Sequence, residues 1–201
     1  MSILQAIILG LVQGATEFIP VSSSGHLVLV PWLLGWPAPG LLFDTMVHWG
    51  TLGAILAYFW RDFWALITAW LRGLVRWDWS DPYARLAWLL IIGSIPAAVL
   101  GYLFDDWFES LFGEPVWVSI FLLLTAAILL LSEWLSRSRR DRTLTDLRWP
   151  DALIIGLGQA LAIAPGISRS GATMSAGLLR GLDRPAAARF SFLLATPAIL
   201  G

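Results

Sequence analysis

The 201-residue sequence contains no cysteine, which removes disulfides, zinc-thiolate centres and thiol nucleophiles from consideration. It contains no lysine either: all 13 basic residues are arginine, a bias from which no function follows. Charge is scarce, with only 13% charged residues and a net charge of -1, so the basic surplus that marks nucleic-acid-binding domains is missing. The N-terminus lacks the basic stretch and small-residue cleavage site of a removable signal. What is abundant is apolar surface: 58% hydrophobic residues, 13 tryptophans and a mean hydropathy of +0.74, far from the soluble balance of about 45–50% apolar and about 25% charged. These numbers describe an integral membrane protein.

Apolar runs near the roughly 20 residues needed to cross the hydrocarbon fall at 42 to 60, 86 to 104 and 116 to 134. Residues 3 to 36 are also apolar but are broken by Pro20, Gly25 and Pro31, and read either as two crossing helices or as a re-entrant helix-loop-helix. Residues 151 to 181 are broken in the same way around Pro165, Gly166 and Gly171, and a last apolar run begins near Phe190. Arg61, Arg72, Arg76 and Arg85 follow the first full span, and Arg137, Arg139, Arg140, Arg142 and Arg148 follow the third. Only Asp105, Asp106, Glu109 and Glu114 lie between the second and third. The positive-inside rule then puts loops 61 to 85 and 135 to 150 in the cytoplasm, and loop 105 to 115 and the N-terminus outside. Trp32, Trp36, Trp60, Trp64, Trp107, Trp134 and Trp149 fall near span ends, as interfacial belts require. Residues 61 to 79 suit an amphipathic helix along the cytoplasmic surface.

A shift of 146 residues superposes, without a gap, Ile8 on Ile154, Gly10 on Gly156, Leu11 on Leu157, Gln13 on Gln159, Ser22 on Ser168, Ser24 on Ser170 and Gly25 on Gly171. Chance could produce some of these matches, since Gly and Ser are common in membrane helices, but they fall on the unusual polar positions. Three full spans separate the copies, so they enter from opposite faces. The expected fold is therefore an all-α polytopic membrane protein, one domain over 1–201, with an inverted-topology repeat (about 1–110 and about 147–201) whose two re-entrant broken-helix hairpins meet near the bilayer midplane. The second repeat is the shorter, so roughly two further spans are expected in a parent protein.

The hairpins carry the chemistry. Gln13 to His26 gathers an amide, the carboxylate of Glu17, the hydroxyls of Ser22, Ser23 and Ser24, and an imidazole. Ionisable groups at such depth are costly and point to a functional site. The second copy adds Arg169, flanked by Ser168, Ser170, Gly171 and Thr173. A guanidinium resists deprotonation and its fork suits phosphate or carboxylate; the alternative is a structural ion pair with Glu17. Gly-Ser loops opening helices present N–H groups that bind phosphate. Gln13 and Glu17, four apart, share a helix face, and a carboxylate beside a phosphate site commonly holds a divalent cation, with acid-base work or pairing to Arg169 as alternatives. His26 can serve a serine or water as general base, or be a satisfied core group. The three serines can instead be small residues for helix packing. His48 is read as a packing or supporting group, and Gln159 as a hydrogen-bonding residue across the repeat interface.

The segments Leu9 to His26, Phe43 to Leu52 and Pro165 to Thr173 resemble the signature stretches of the undecaprenyl pyrophosphate phosphatase (bacitracin-resistance) family, in order and spacing, over essentially the whole chain. The resemblance implies a multi-pass enzyme of the bacterial plasma (inner) membrane. It would take the terminal phosphate from undecaprenyl diphosphate, recycling the carrier for peptidoglycan synthesis, with its site facing the periplasm and a divalent cation, Mg2+ or Ca2+, supporting activity. It implies catalytic roles for Glu17, Ser23, His26 and Arg169, phosphate contacts from Gln13, Ser22, Ser168, Ser170 and Thr173, and a metal at Glu17 with Gln13. Where many members carry Glu, this chain has Gln13, so any duty needing a carboxylate there rests on Glu17. Ser23 is the preferred nucleophile with His26 its base; direct attack by water is the rival. The expected partners are a polyisoprenyl diphosphate and membrane lipid, with no nucleic acid; a homo-oligomer stays open. The competing function is a transporter or flippase of an anionic or phosphorylated lipid, which would not need Ser23 with His26.

Overall fold

The computed structural model of the chain describes residues 1–111, 114–137 and 141–200; Arg139, Arg140 and the side chains of Asp105 and Glu109 lie outside the described residues. Among these residues the secondary structure is helical, with one isolated bridge, Arg142 to Leu182, and no strand. In chain order the helices are α1 (Ile3–Phe18), α2 (Ser23–Leu33), α3 (Leu41–Tyr58), α4 (Trp60–Arg76), α5 (Pro82–Leu103), α6 (Asp105–Leu111), α7 (Pro115–Leu135), α8 (Trp149–Leu161), α9 (Arg169–Leu179) and α10 (Arg184–Leu200). A 3-10 turn, Leu144–Asp146, precedes α8.

Local chemistry sets these limits. Ser2 caps α1 in a capping box with Gln5, and Asp81 accepts the Tyr83 amide at 2.8 Å just ahead of Pro82 at the first turn of α5. Pro115 and Pro150 sit in the first turns of α7 and α8, where a missing N–H costs nothing. Helix α10 begins at Arg184, earlier than the apolar run from Phe190 suggests. Asp183 accepts the Ala186 amide at 2.7 Å, and the charged Arg184 and Arg189 hide the start of the helix from a hydropathy reading. Helix α6 occupies part of what hydropathy leaves as the acidic loop.

The three expected spans appear as α3, α5 and α7, of which α5 and α7 are long and apolar enough to cross a membrane. Their outward faces leave Ile91, Val99, Leu123 and Leu130 exposed, as helices that contact lipid require. Helices α1 and α2, at 16 and 11 residues, reach only about 24 and 16 Å at 1.5 Å per residue, each short of a hydrocarbon core of about 30 Å. They fold back on one another as a hairpin, and α8 with α9 form a second.

The main core lies among α4, α5, α8 and α10, where Leu66, Leu89, Ile155, Leu193, Leu194 and Phe190 are buried together. Its tightest point is the crossing of α5 and α8. A Cβ on Gly156 would fall 2.2 Å from the carbonyl oxygen of Gly93, so two backbones touch there and only glycine fits. That contact fixes α8, and through it the loop that leads to Arg169.

Candidate active site

The two hairpins have the same local design. Helices α2 and α9 coincide under the 146-residue shift, both 11 residues long. Each begins after a serine whose Oγ accepts the amide three residues on: Ser22 from Gly25 at 3.3 Å, Ser168 from Gly171 at 3.0 Å. The caps differ in backbone, because Ser168 is extended (φ -70°) whereas Ser22 takes φ +68°, a conformation unusual for a residue with a side chain.

The loop between α8 and α9 is held from three sides. Gly166 turns it at φ +99°, where a Cβ would meet the Val118 carbonyl oxygen at 2.5 Å. Thr125 on α7 donates to the Gly166 carbonyl at 3.0 Å and accepts the Ser168 amide at 3.0 Å. From the first hairpin, Ser24 Oγ accepts the Gly166 amide at 3.4 Å, and Ser170 Oγ donates to the Glu17 carbonyl at 3.3 Å. The hairpin tips are thus bonded directly to each other.

Glu17 stands at the centre of that junction, 8% exposed. Arg169 donates to its Oε1 as a close ion pair. Its Oε2 accepts Ser23 Oγ at 2.5 Å and Gln13 Nε2 at 3.1 Å, and His48 Nε2 lies 3.8 Å away. Arg169 also donates to the Ala195 carbonyl at 3.3 Å, which ties α10 to the pair. Of the two roles that the sequence offers for Arg169, a structural ion pair with Glu17 or a phosphate-binding cation, the structure contains the ion pair.

A cavity of about 330 Å³ opens over this junction. Its polar wall contains Glu17, Ser22, Ser23, Ser24, Ser168, Arg169 and Ser170, so both helix starts border one space; Leu41, Trp49, Ile163 and Ile199 form apolar walls. A second cavity of about 640 Å³, lined by Leu27, Trp32, Trp36 and Phe108, shares Leu41, Asp44 and Ile163 with it.

Gln13, Thr173 and His26 lie off this cavity. Gln13 is wholly buried behind Glu17 and reaches the cavity only through it. Thr173 donates to the Arg169 carbonyl at 2.7 Å and meets Ser191 Oγ at 2.6 Å, so it fastens α9 to α10 and does not line the cavity. His26 is bonded through Nδ1 to the Ser22 carbonyl at 2.7 Å; no hydrogen bond joins it to Ser23, and it is not among the cavity walls. His48 occupies the wall beside Glu17, its ring fixed by a 2.7 Å bond between Nδ1 and the Asp44 carbonyl. Asp44 lines both cavities, and its Oδ1 is buried without a partner. His48 and Asp44 are the residues that sequence reasoning undervalued; the signal was their spacing of four within an apolar helix, which places both on one face.

A family profile described as Bacitracin resistance protein BacA matches residues 6–201. The chain belongs to the BacA family. It is 50% identical over 201 residues to the undecaprenyl-diphosphatase of Moorella thermoacetica, covering 100% of this chain and 74% of that relative. It is 49% identical over 197 residues to the undecaprenyl-diphosphatase of Desulforudis audaxviator, covering 98% and 73%, and 47% identical over 209 residues to that of Thermomicrobium roseum, covering 100% and 74%. The chain therefore spans about three quarters of the length of these relatives. As a BacA member it pairs Arg169 with a single carboxylate from α1, because the residue one turn before Glu17 is the amide Gln13.

Proposed function

We propose that this chain hydrolyses undecaprenyl diphosphate to undecaprenyl phosphate and inorganic phosphate. The observation that carries this reading is Ser23 Oγ at 2.5 Å from a carboxylate oxygen whose partner oxygen holds Arg169, at the wall of a cavity bordered by two helix starts. A hydroxyl, a proton acceptor and a fixed cation within one site are what phosphoanhydride hydrolysis needs.

In the proposed mechanism the terminal phosphoryl group lies between Arg169 and the starts of α2 and α9, which stabilise charge on its equatorial oxygens. Ser23 Oγ attacks the phosphorus and passes its proton to Glu17; the bond to the bridging oxygen breaks, and the prenyl monophosphate leaves. Water then attacks the phosphoserine and the P–Oγ bond breaks; Glu17 returns its proton to Ser23 Oγ, inorganic phosphate leaves, and the surplus proton of the attacking water passes to solvent. Glu17 takes the acceptor role that the sequence suggests for His26, because Glu17 is the group bonded to Ser23. The adjoining apolar cavity, rich in Trp and Leu, suits the first isoprene units of the substrate.

A divalent cation, Mg2+ or Ca2+, belongs to the same proposal. The donors are hard oxygens: Asp44 Oδ1 and Gln13 Oε1 are buried without partners. Among the described residues no three His, Cys, Asp or Glu side chains converge on one point, so Asp44 and Glu17 would hold the ion together with substrate oxygens. When bound, such an ion neutralises charge on the diphosphate. The inverted relation of the two hairpins across the bilayer, a plasma-membrane location and a periplasm-facing cavity complete the proposal, supported by the Arg-rich loops and the matched helix starts.

The test is phosphate release from farnesyl or undecaprenyl diphosphate by purified protein with Mg2+ or Ca2+, comparing wild type, Ser23→Ala and Arg169→Ala. Turnover in wild type and loss by at least about 100-fold in both variants is expected. No phosphate release by the wild type, or full activity in Arg169→Ala, would overturn it.

A further inference from the structure

Arg169 opens α9 and Arg180 follows its last residue, so the two lie about 17 Å apart along the helix axis at 1.5 Å per residue. Around Arg180 is a cavity of about 640 Å³, separate from the Glu17 site, lined by Arg85, Arg142, Arg148, Arg180, Asp146 and Asp151. Four guanidinium groups against two carboxylates leave this lining two positive charges in surplus.

The arginines divide into two kinds. Arg142 is engaged through both terminal amino groups, which reach Asp151 Oδ2 at 2.6 Å, the Arg180 carbonyl at 2.6 Å and the Asp146 carbonyl at 2.7 Å. With Arg180 Nε, at 2.7 Å from Asp151 Oδ1, it staples the segment before α8 to the end of α9. Asp146 accepts the Thr143 amide at 2.8 Å and its hydroxyl at 2.9 Å, which hold its carboxyl below the usual range and keep it charged. The other guanidinium groups have capacity to spare. Arg180 spends only Nε on Asp151, and Arg85 spends one terminal amino group on the Leu147 carbonyl at 2.6 Å. Both residues line the cavity together with Arg148, and exposed Trp149 next to Arg148 marks a membrane-interface position.

We propose that this cavity binds a phosphate dianion through Arg85, Arg148 and Arg180, independently of the Glu17 site. Its surplus of two charges matches a phosphate monoester, and guanidinium forks suit its oxygens. The same chemistry is offered by the headgroup of a monoester lipid such as phosphatidic acid and by free inorganic phosphate.

The test uses the purified chain and the variant Arg85→Gln/Arg148→Gln, which leaves the bonds of Arg142 and Arg180 to Asp151 in place. Retention of phosphatidic acid against phosphatidylcholine is read by native mass spectrometry, and binding of radiolabelled inorganic phosphate by equilibrium dialysis. A drop of about tenfold or more in phosphatidic acid retention by the variant supports a lipid headgroup. The same drop seen only with inorganic phosphate supports the free anion. Equal binding of both probes by wild type and variant overturns the proposal. Should the double variant melt early, Arg148→Gln alone repeats the comparison, with Arg148→Lys as the charge-retaining control. Hydrolysis of farnesyl diphosphate in detergent stays unchanged in the double variant, so failure here is distinguishable from failure of the proposed hydrolase.

Discussion

Replacing Gly156 with alanine tests how closely α5 and α8 must approach for the site to form. The new Cβ would lie 2.2 Å from the Gly93 carbonyl oxygen and 2.9 Å from its carbonyl carbon, both backbone atoms with no rotamer to yield. Bringing the oxygen contact out to 3.0 Å requires the helices to part by about 0.8 Å. A gap of that order forfeits roughly a quarter to a half of each dispersion contact along the crossing, and overpacking of this kind costs about 1–3 kcal/mol. For a chain of this size that corresponds to a fall in Tm of roughly 2–12 °C. Because α8 runs into the loop holding Arg169, phosphate release should fall as well. The internal control is Gly10→Ala at the matching repeat position, where a Cβ meets nothing within 4 Å. Alanine there should be neutral or stabilising by about 0.5–1 kcal/mol, through its higher helix propensity. Thermal unfolding of both variants in one detergent, followed by far-UV circular dichroism, reads the difference. A Gly156→Ala protein that melts with the wild type would refute the reasoning.

Three further outcomes are expected. His48→Ala should reduce phosphate release more than His26→Ala, since His48 stands beside Glu17 and His26 is tied to the Ser22 carbonyl; steady-state kinetics on farnesyl diphosphate ranks them, and the reverse order would restore His26 as the base. Asp151→Asn removes the charge from the ion pairs with Arg142 and Arg180 at a residue only 1% exposed, so a loss of roughly 2–4 kcal/mol should appear as a lower midpoint in thermal unfolding. Thr173→Val should leave KM for the diphosphate nearly unchanged while lowering stability by about 1 kcal/mol, because its hydroxyl bonds within the α9–α10 contact; a large rise in KM would place it back in the phosphate site.

The membrane class and the two polar islands were legible in the sequence, because long apolar runs demand a lipid surround and polar residues within them demand a partner or a ligand. That Arg169 and Glu17 each need a partner was legible for the same reason, since neither survives at depth alone, and the structure pairs them. His48 was not, since an imidazole in an apolar helix looks the same whether it packs or faces a cavity; only the fold of α3 against α1 places it at 3.8 Å from Glu17. Thr173 belongs to the motif by position, yet its hydroxyl turns toward Ser191 on α10, 18 residues away, a contact that no local pattern encodes. The staple of Arg142 and Arg180 on Asp151 depends on contacts 9 and 29 residues apart that no local pattern encodes.

In this structure the Arg169 guanidinium already has an anion, the carboxylate of Glu17. In the proposed mechanism an incoming phosphate would therefore not enter a vacant cationic site; it would compete with an internal ligand, and its apparent affinity would be what remains after that exchange. The same exchange would take the guanidinium from Oε1, so that the carboxylate already bonded to Ser23 through Oε2 becomes the stronger proton acceptor. On this view Glu17→Gln should bind inorganic phosphate more tightly than the wild type while turning substrate over more slowly, an opposition between affinity and rate that would reveal the carboxylate as a competitor as well as a base.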